Sequence, residues 1–388
     1  MEKHIIYHLF LIFAGAAILA TLALYLRQAI IVAYILLGLL LGPSALNWVP
    51  DPELIARIAD IGIIFLLFLL GLNLHPQKLL KLFQRTLLIT AFSSLLFACL
   101  GFGFAWLAGY HGMDIIMIGV AVVFSSTIIG LKLLPTSVLH HQHTGELIIS
   151  ILLLQDILAI FALLFVRAHE FGTTPGPRAL LLIASLPALV LAVKFVQEKL
   201  INYLIVRFDT IQEYIFLLAI GWCLGVAELA SALGLSAEMG AFIAGVSLAS
   251  SPISTFIAES LKPLRDFFLV LFFFALGAGI NLQQITPVIV PALLLASLML
   301  VIKPFVFKWL LHKTGEHILR SQEIGLRLGQ TSEFSLLISV LALSQGLIST
   351  QAAYLIQATT VLTFVVSPYF IVLRYPTPIA VSDKLRRD

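Results

Sequence analysis

The chain has 388 residues, of which 60% are hydrophobic and 11% charged, and its mean hydropathy is +1.07. Apolar content at that level excludes a soluble globular fold and assigns the chain to the membrane class. The formal net charge of +3 says little by itself; the placement of the charges carries the information.

A helix needs about 20 apolar residues to cross the hydrocarbon core. The sequence predicts an all-α membrane protein of thirteen spans. In chain order they cover residues 5–26, 29–48, 54–73, 86–109, 113–134, 144–167 and 178–197. Six more follow at 212–231, 235–250, 264–281, 287–311, 321–345 and 350–374. The first run is longer than a signal-peptide core of roughly 7–15 residues and lacks a small-residue cleavage site, so it reads as a span. Gly42-Pro43-Ser44, His75-Pro76, Pro175-Gly176-Pro177 and Thr286-Pro287 mark breaks between spans. Cys99 and Cys223 fall inside apolar runs and read as small buried hydrophobes without a disulfide framework. A short polar tail, 377–388, closes the chain, with no further domain expected after it.

Lys and Arg set the orientation. With the N-terminus outside and thirteen crossings, 17 of the basic residues fall on inner loops. Only Lys3, Arg57, Arg167 and Arg178 fall outside, so the C-terminus is expected inside. Lys303 and Arg327 lie within spans.

Shifted by 206 residues, the chain lies over itself. Glu53 falls on Glu259, Asp60 on Asp266, Gly71 on Gly277, Gly119 on Gly325 and Ser126 on Ser332. The offset equals seven spans. Seven is odd, so the second repeat (spans 8–13) enters the membrane inverted relative to the first (spans 1–6). Inverted repeats are a hallmark of secondary transporters, which rock one repeat-built bundle around a mid-membrane site. The chain therefore reads as a transporter.

Charges inside spans cost at least ~2.5–3.5 kcal/mol each and usually mark ion pathways. Asp156, beside Gln155, sits among long aliphatic side chains. There a carboxylate can take either a proton or a cation, which is what exchange of the two requires. The alternative is a structural carboxylate, protonated or hydrogen-bonded between helices. Lys303 precedes Pro304; it either offsets a buried charge or snorkels to the membrane edge. Arg327 and Glu333 complete the intramembrane charges. Their separation of six residues does not place them on one helix face.

Two segments read as broken helices, Phe124-Ser125-Ser126-Thr127 and Gly329-Gln330-Thr331-Ser332-Glu333-Phe334. They coincide under the 206 shift. Unwound backbone at membrane depth is tolerated only where it is buried or lines a cavity. Ser125, Ser126, Thr127, Gln330, Thr331 and Ser332 are therefore expected to line one. The alternative is that these side chains bond back to their own helices.

Other features are weaker. His140, His141 and His143 with Gln142 form a loop cluster that lacks further metal ligands; no metal site is expected, and the cluster reads as a solvated loop able to sense pH. Glu228 and Glu238 flank a short turn. Glu53, Asp60, Glu259 and Asp266 are expected to cap or flank helix starts. Gly240 to Gly245 presents small residues for close packing or a dimer face.

Several stretches together resemble one family. They are Leu69-Leu70-Gly71-Leu72-Asn73-Leu74, Ser125-Ser126-Thr127, Gln155-Asp156, Gly234 to Phe242, Phe272 to Gly277, Lys303-Pro304 and Ser332-Glu333-Phe334. The chain resembles bacterial monovalent cation:proton antiporters of the second superfamily branch, especially the membrane domain of Kef-type potassium/proton antiporters. The resemblance implies an ion-binding aspartate at Asp156 with Gln155 before it, and the family's membrane lysine at Lys303. It implies two discontinuous crossing helices. It implies a transmembrane domain over 1–376, with a dimer scaffold at about 1–75 and 212–282. The ion-transport core would lie at about 86–167 and 287–374, with a linker helix at about 178–197. Asn73 stands where the family usually has Glu, and Ser332 where it has Gly. The nucleotide-binding domain that gates Kef systems has no counterpart within these 388 residues, which form either a stand-alone member or part of a longer one, so glutathione or nucleotide gating is not carried over.

The expected activity is K+/H+ antiport, electroneutral, with both ions competing at Asp156. Neutral oxygens from Gln155 and the first break suit a large, weakly hydrated ion. Na+/H+ exchange is the alternative within the fold; a cation channel or an organic-solute symporter are alternatives of other classes. No enzymatic chemistry, cofactor, metal or nucleic acid is expected. The expected partners are monovalent cations, protons, the lipid bilayer, a second copy of the chain and a soluble regulatory subunit. The expected location is the bacterial inner membrane.

Overall fold

A computed structural model describes residues 2–26, 28, 30–49, 53–72, 76–134, 143–169, 177–233, 235 and 237–377. Among them there is no strand, and every regular element is a helix. The first half holds α1 (Glu2–Tyr25), α2 (Ile30–Leu41), α3 (Glu53–Leu72), α4 (Pro76–Leu107), α5 (Met113–Ala121), α6 (Thr127–Lys132) and α7 (His143–His169). Next, α8 (Pro177–Val196) runs through one wide turn into α9 (Asn202–Phe208). The second half holds α10 (Gln212–Ala232), α11 (Ala237–Leu248), α12 (Ser254–Ala278), α13 (Leu282–Ile285), α14 (Ile289–Lys313), α15 (Ile318–Arg327), α16 (Glu333–Ser344) and α17 (Thr350–Val372).

Six helical stretches are long and apolar enough to cross a membrane: Ile6–Tyr25, Thr86–Leu107, His143–Leu163, Gln212–Ala232, Leu282–Lys313 and Thr350–Val372. Ile30–Leu41, Met239–Leu248 and Glu333–Ser344 are apolar but shorter. The protein is an all-helical, multi-pass membrane protein. Its large exposed apolar side chains, such as Leu88, Leu107 and Val301, are what a lipid-facing surface requires.

The helices depart from the expected spans at their ends. Helix α4 begins at Pro76, ten residues before its apolar run; proline fits a first helical position because its missing N–H is not needed there. Helix α12 likewise begins at Ser254. Asp266 therefore lies in mid-helix, where it accepts from Arg265 Nη2 at 2.8 Å, and Asp60 lies inside α3. Neither flanks a helix start as expected; of the four acids, Glu53 does open α3. Cys99 is exposed, against expectation, while Cys223 is buried.

The chain divides into two compact units. Unit one comprises residues 1–13, 37–80 and 171–279; unit two comprises 14–36, 81–170 and 280–388. In unit one, α3, α10, α11 and α12 pack around a core that includes Phe65, Phe68, Leu72, Cys223, Ala241 and Leu261. Lipid is as apolar as these side chains, so close backbone approach does much of the holding. A Cβ on Gly71 would meet the backbone of Phe242 and Val246, and one on Gly245 the backbone of Phe68 and Leu72. Gly240 packs against Val226, Ala227 and Ala230. These small residues face neighbours within the subunit, so Gly240 and Gly245 do not form the dimer face that their spacing allowed.

Unit two has a basic end and an opposite end. At the basic end, His143 Nε2, opening α7, meets Glu316 Oε1 at 2.9 Å in the turn between α14 and α15. Arg320 Nη1 donates to Glu316 Oε2 at 3.1 Å. At the opposite end, Asp114 of α5 accepts from Ser349 N at 2.7 Å and Ser349 Oγ at 2.6 Å, just before α17.

Candidate functional site

The site is built where two helices of unit two stop and restart. Helix α5 ends at Ala121 and α6 begins at Thr127; α15 ends at Arg327 and α16 begins at Glu333. Both boundaries differ by 206 residues, the shift at which the sequence overlays itself. The restarts are capped alike. Ser126 Oγ accepts from Ile129 N at 3.1 Å, and Ser332 Oγ accepts from Phe334 N at 3.2 Å. Serine is a preferred N-cap because its oxygen satisfies an N–H that the first turn leaves unpaired.

Each break frees backbone groups, and buried side chains collect them. Ser125 N donates to Gln155 Oε1 at 3.1 Å, and Gln155 Nε2 donates to Val123 O at 3.2 Å. The Gln155 amide thus clamps the first break. Ser125 Oγ donates across to Leu328 O at 2.8 Å in the second break. Gln330 Nε2 donates to Arg327 O at 2.9 Å and lies 3.4 Å from Ser126 O, while Gln330 Oε1 accepts from Ser367 Oγ at 3.0 Å. Thr331 bonds Thr363 through both its N–H, at 3.1 Å, and its hydroxyl, at 2.7 Å. Ser335 Oγ donates to Ala121 O at 2.6 Å.

Lys303 joins the two breaks. It is fully buried, and its Nζ donates to Phe124 O at 2.7 Å and to Gln330 O at 3.1 Å. It does not snorkel. Among the described residues no carboxylate lies within ion-pair distance of it. Its charge faces the carbonyls left by two interrupted helices, the negative pole of a helix dipole. A close neighbour makes this possible: a Cβ on Gly325 would strike Pro304 O, so α15 lies against α14 at that point.

Asp156 is 1% exposed. Thr127 Oγ1, at the start of α6, lies 3.0 Å from one carboxylate oxygen and 3.3 Å from the other, and donates to the carboxylate. Glu333 is close enough to Asp156 for the two carboxylates to act on each other electrostatically. Ser332 Oγ sits 3.5 Å from Glu333 Oε2. A buried carboxylate that accepts from one hydroxyl, with a second carboxylate within electrostatic reach, is chemically fit to hold a proton or a small cation by turns.

Ten expected residues therefore come together: Ser125, Ser126, Thr127, Gln155, Asp156, Lys303, Gln330, Thr331, Ser332 and Glu333. Arg327 belongs to a different cluster. Its guanidinium bonds Glu323 Oε1 at 2.8 Å through Nη2 and 3.0 Å through Nε. It also donates to Leu133 O at 2.8 Å and Pro376 O at 2.9 Å. The sequence reading missed Glu323, although its i,i+4 spacing from Arg327 was a signal. It also missed Thr363 and Ser367, which lie four apart on α17. His140, His141, Gln142 and Asn73 lie outside the described residues. His143 bonds Glu316 and Glu146. No group of three or more His, Cys, Asp or Glu that could hold a metal occurs among the described residues.

Two interrupted helices meeting over a buried carboxylate define an ion transporter of the inverted-repeat kind. Residues 11–372 match the family described as sodium/hydrogen exchanger, transmembrane, and the chain belongs to it. That is a family of membrane cation/proton antiporters, which are transporters rather than enzymes. The glutathione-regulated potassium-efflux system protein KefC of Salmonella schwarzengrund (strain CVM19633) is 28% identical over 382 residues, covering 96% of this chain. The chain spans only 61% of that relative's length. The iron transporter MagA of Paramagnetospirillum magneticum (strain ATCC 700264 / AMB-1) is 27% identical over 359 residues, covering 89% of this chain and 80% of the relative. The structure of the sodium proton antiporter MjNhaP1 from Methanocaldococcus jannaschii superposes with a TM-score of 0.73 at 20% identity, over 95% of this chain and 96% of the other. The fold is thus that of a cation:proton antiporter.

Proposed function

We propose that this chain exchanges K+ for H+ across the bacterial inner membrane, one for one, with the two ions competing for Asp156. The observation that carries the reading is the Asp156 carboxylate, buried and bridged by the Thr127 hydroxyl beside two meeting helix breaks. The Thr127 hydroxyl supplies a neutral oxygen beside it, which suits a weakly hydrated monovalent ion, and the potassium-efflux relatives favour K+. The iron named for MagA asks for a richer set of ligands than one carboxylate with hydroxyls and amides supplies.

In this reading the chain crosses the membrane thirteen times, with the N-terminus outside and the basic end in the cytoplasm. Residues of the core, about 86–167 and 287–374, carry the ion. The scaffold, about 1–75 and 212–282, pairs with a second copy, and a helix at about 178–197 links them. A soluble regulatory subunit at the cytoplasmic face is a further partner in this reading.

Proton flux in proteoliposomes tests the proposal. A trapped pH dye should respond to added K+, and the response should vanish in Asp156→Asn. A response to Na+ or Li+ alone would replace K+ by another cation. No response to any cation would overturn the antiporter reading.

A further inference from the structure

Unit two carries a row of buried hydroxyls on α4, away from the two breaks. Thr86, Thr90 and Ser94 recur every four residues and share one helix face. They are 0%, 2% and 8% exposed. The opposite face, with Leu88 and Leu95, is open to lipid. Thr86 Oγ1 and Ser150 Oγ of α7 share a hydrogen bond of 2.6 Å. Thr90 Oγ1 and Ser94 Oγ have no hydrogen-bond partner among the described residues.

Helical hydroxyls usually bond back to the carbonyl one turn earlier. Thr21, Thr286 and Thr360 do so here. Thr90 and Ser94 do not. Leaving a buried hydroxyl unpaired costs about 1–3 kcal/mol. Native interiors avoid that cost by pairing such groups with protein or with ordered water.

The row has a direction. Thr86 lies toward the basic end, since its partner Ser150 is two turns along α7 from His143. Beyond Ser94 comes Phe97, fully buried, whose ring centroid is 5.3 Å from Lys303 Nζ. Eleven residues separate Thr86 from Phe97, about 16 Å of helix. Two of the three Lys303 N–H donors are taken by Phe124 O and Gln330 O, so one remains. Among the described residues no titratable side chain hydrogen-bonds Thr90, Ser94 or Lys303.

The 206 shift shows that the polarity is one-sided. It sends Phe97 to Lys303, and Thr86, Thr90 and Ser94 to Ala292, Ala296 and Leu300. The half of α4 between the basic end and the site is hydroxyl-lined. The related face of α14, between the site and the opposite end, is apolar at all three positions. Packing alone needs no such difference.

We propose that Thr86, Thr90 and Ser94 line a file of water inside unit two, running from the basic end to Phe97 and Lys303. The proton exchanged by the antiporter passes along this file. Each hydroxyl both donates and accepts. A proton entering at the basic end is therefore relayed inward and is taken up by the Asp156 carboxylate, the group that exchanges it; the Lys303 ammonium, which already carries three N–H, accepts none. The proton part rests on the antiporter reading; the hydration does not.

Silver ion, small and water-borne, is the probe. Thr90→Cys, Ser94→Cys and Ala296→Cys are each made in the full chain with Cys99 and Cys223 replaced by Ala. Each protein is exposed to Ag+ in proteoliposomes, and thiols still free are then alkylated after denaturation. Cysteines at 90 and 94 should be protected by Ag+ at least ~10-fold faster than the one at 296. Equal rates would overturn the water file. In the flux assay, a Thr90→Val/Ser94→Ala double variant should lose about tenfold in maximal turnover. Its half-saturating cation concentration should stay within about twofold, and Thr90→Ser should keep wild-type turnover. Unchanged turnover in the double variant would overturn the proton route. If the wild type exchanges no cation, the antiporter reading fails, and the silver rates alone still decide whether the row is hydrated.

Discussion

Lys303 ties the site together at the level of a single side chain, and its removal has a calculable effect. Lys303→Met would leave Phe124 O and Gln330 O buried without a donor. At about 1–3 kcal/mol for each orphaned group, the loss is roughly 2–6 kcal/mol. The half-inactivation temperature in detergent should therefore fall by several degrees, with Lys303→Gln restoring part of it. An unchanged temperature would show that the carbonyls find other donors. Glu316 allows a pH prediction. Burial pushes its carboxyl up, but hydrogen bonds from His143 and Arg320 outweigh that and hold it below the usual carboxylate value. The stability this confers is present above the ordinary carboxylate range and fades as pH falls through the lowered folded value. Glu316→Gln should flatten the acid limb of a melting-temperature profile. An acid limb as steep as the wild type's would assign acid loss to other groups. The sequence named Asp156, Lys303 and the serines of the breaks, because charge and hydroxyls are rare in apolar spans. It left the partner of Lys303 open, because carbonyl oxygens freed by a helix break carry no signature of their own. Thr363 and Ser367 escaped notice because each acts only through a neighbour that folding brings close, whereas Glu323 carried a signal in its i,i+4 spacing from Arg327.

Among the elements, the glycine contacts of α3 and α11 decide whether unit one closes. Gly71 and Gly245 each meet backbone on the other helix, where nothing can give way. Gly71→Val or Gly245→Val should abolish monodisperse protein in fluorescence-detected size-exclusion profiles. Gly103→Val is the control, since a Cβ there meets nothing within 4 Å. Wild-type profiles for all three would mean that α3 and α11 separate without cost. The glycine spacing of α11 was legible in the sequence, but not its partner: small residues permit close approach without saying to what. Helix ends were read less well. The apolar run of α4 starts near Thr86, yet the helix starts at Pro76, because helix propensity extends past the hydrocarbon-like stretch and proline suits a first helical position. The breaks were placed well, since Ser126 and Ser332 are N-caps in the middle of apolar sequence, where an N-cap has no other use.

For the whole molecule, the 206-residue shift now holds for geometry: both helices stop and restart at shifted positions. What sits at the restarts differs. The first repeat places Thr127 there and the second Glu333, so the symmetric frame presents one hydroxyl and one carboxylate near Asp156. That difference bears on stoichiometry. If only Asp156 exchanges its proton, each cycle trades one proton for one cation and moves no net charge. If Glu333 also releases a proton, two protons cross for each cation and the cycle becomes electrogenic. Glu333 opens α16, where the helix macrodipole favours a negative charge, and Ser332 caps the same turn. One-for-one exchange, as proposed, assigns the exchanged proton to Asp156 alone. Turnover in proteoliposomes with symmetric ions should not change when a membrane potential is imposed, and Glu333→Gln should be equally indifferent. A wild type that responds to potential while Glu333→Gln does not would make Glu333 a second proton carrier and overturn one-for-one exchange.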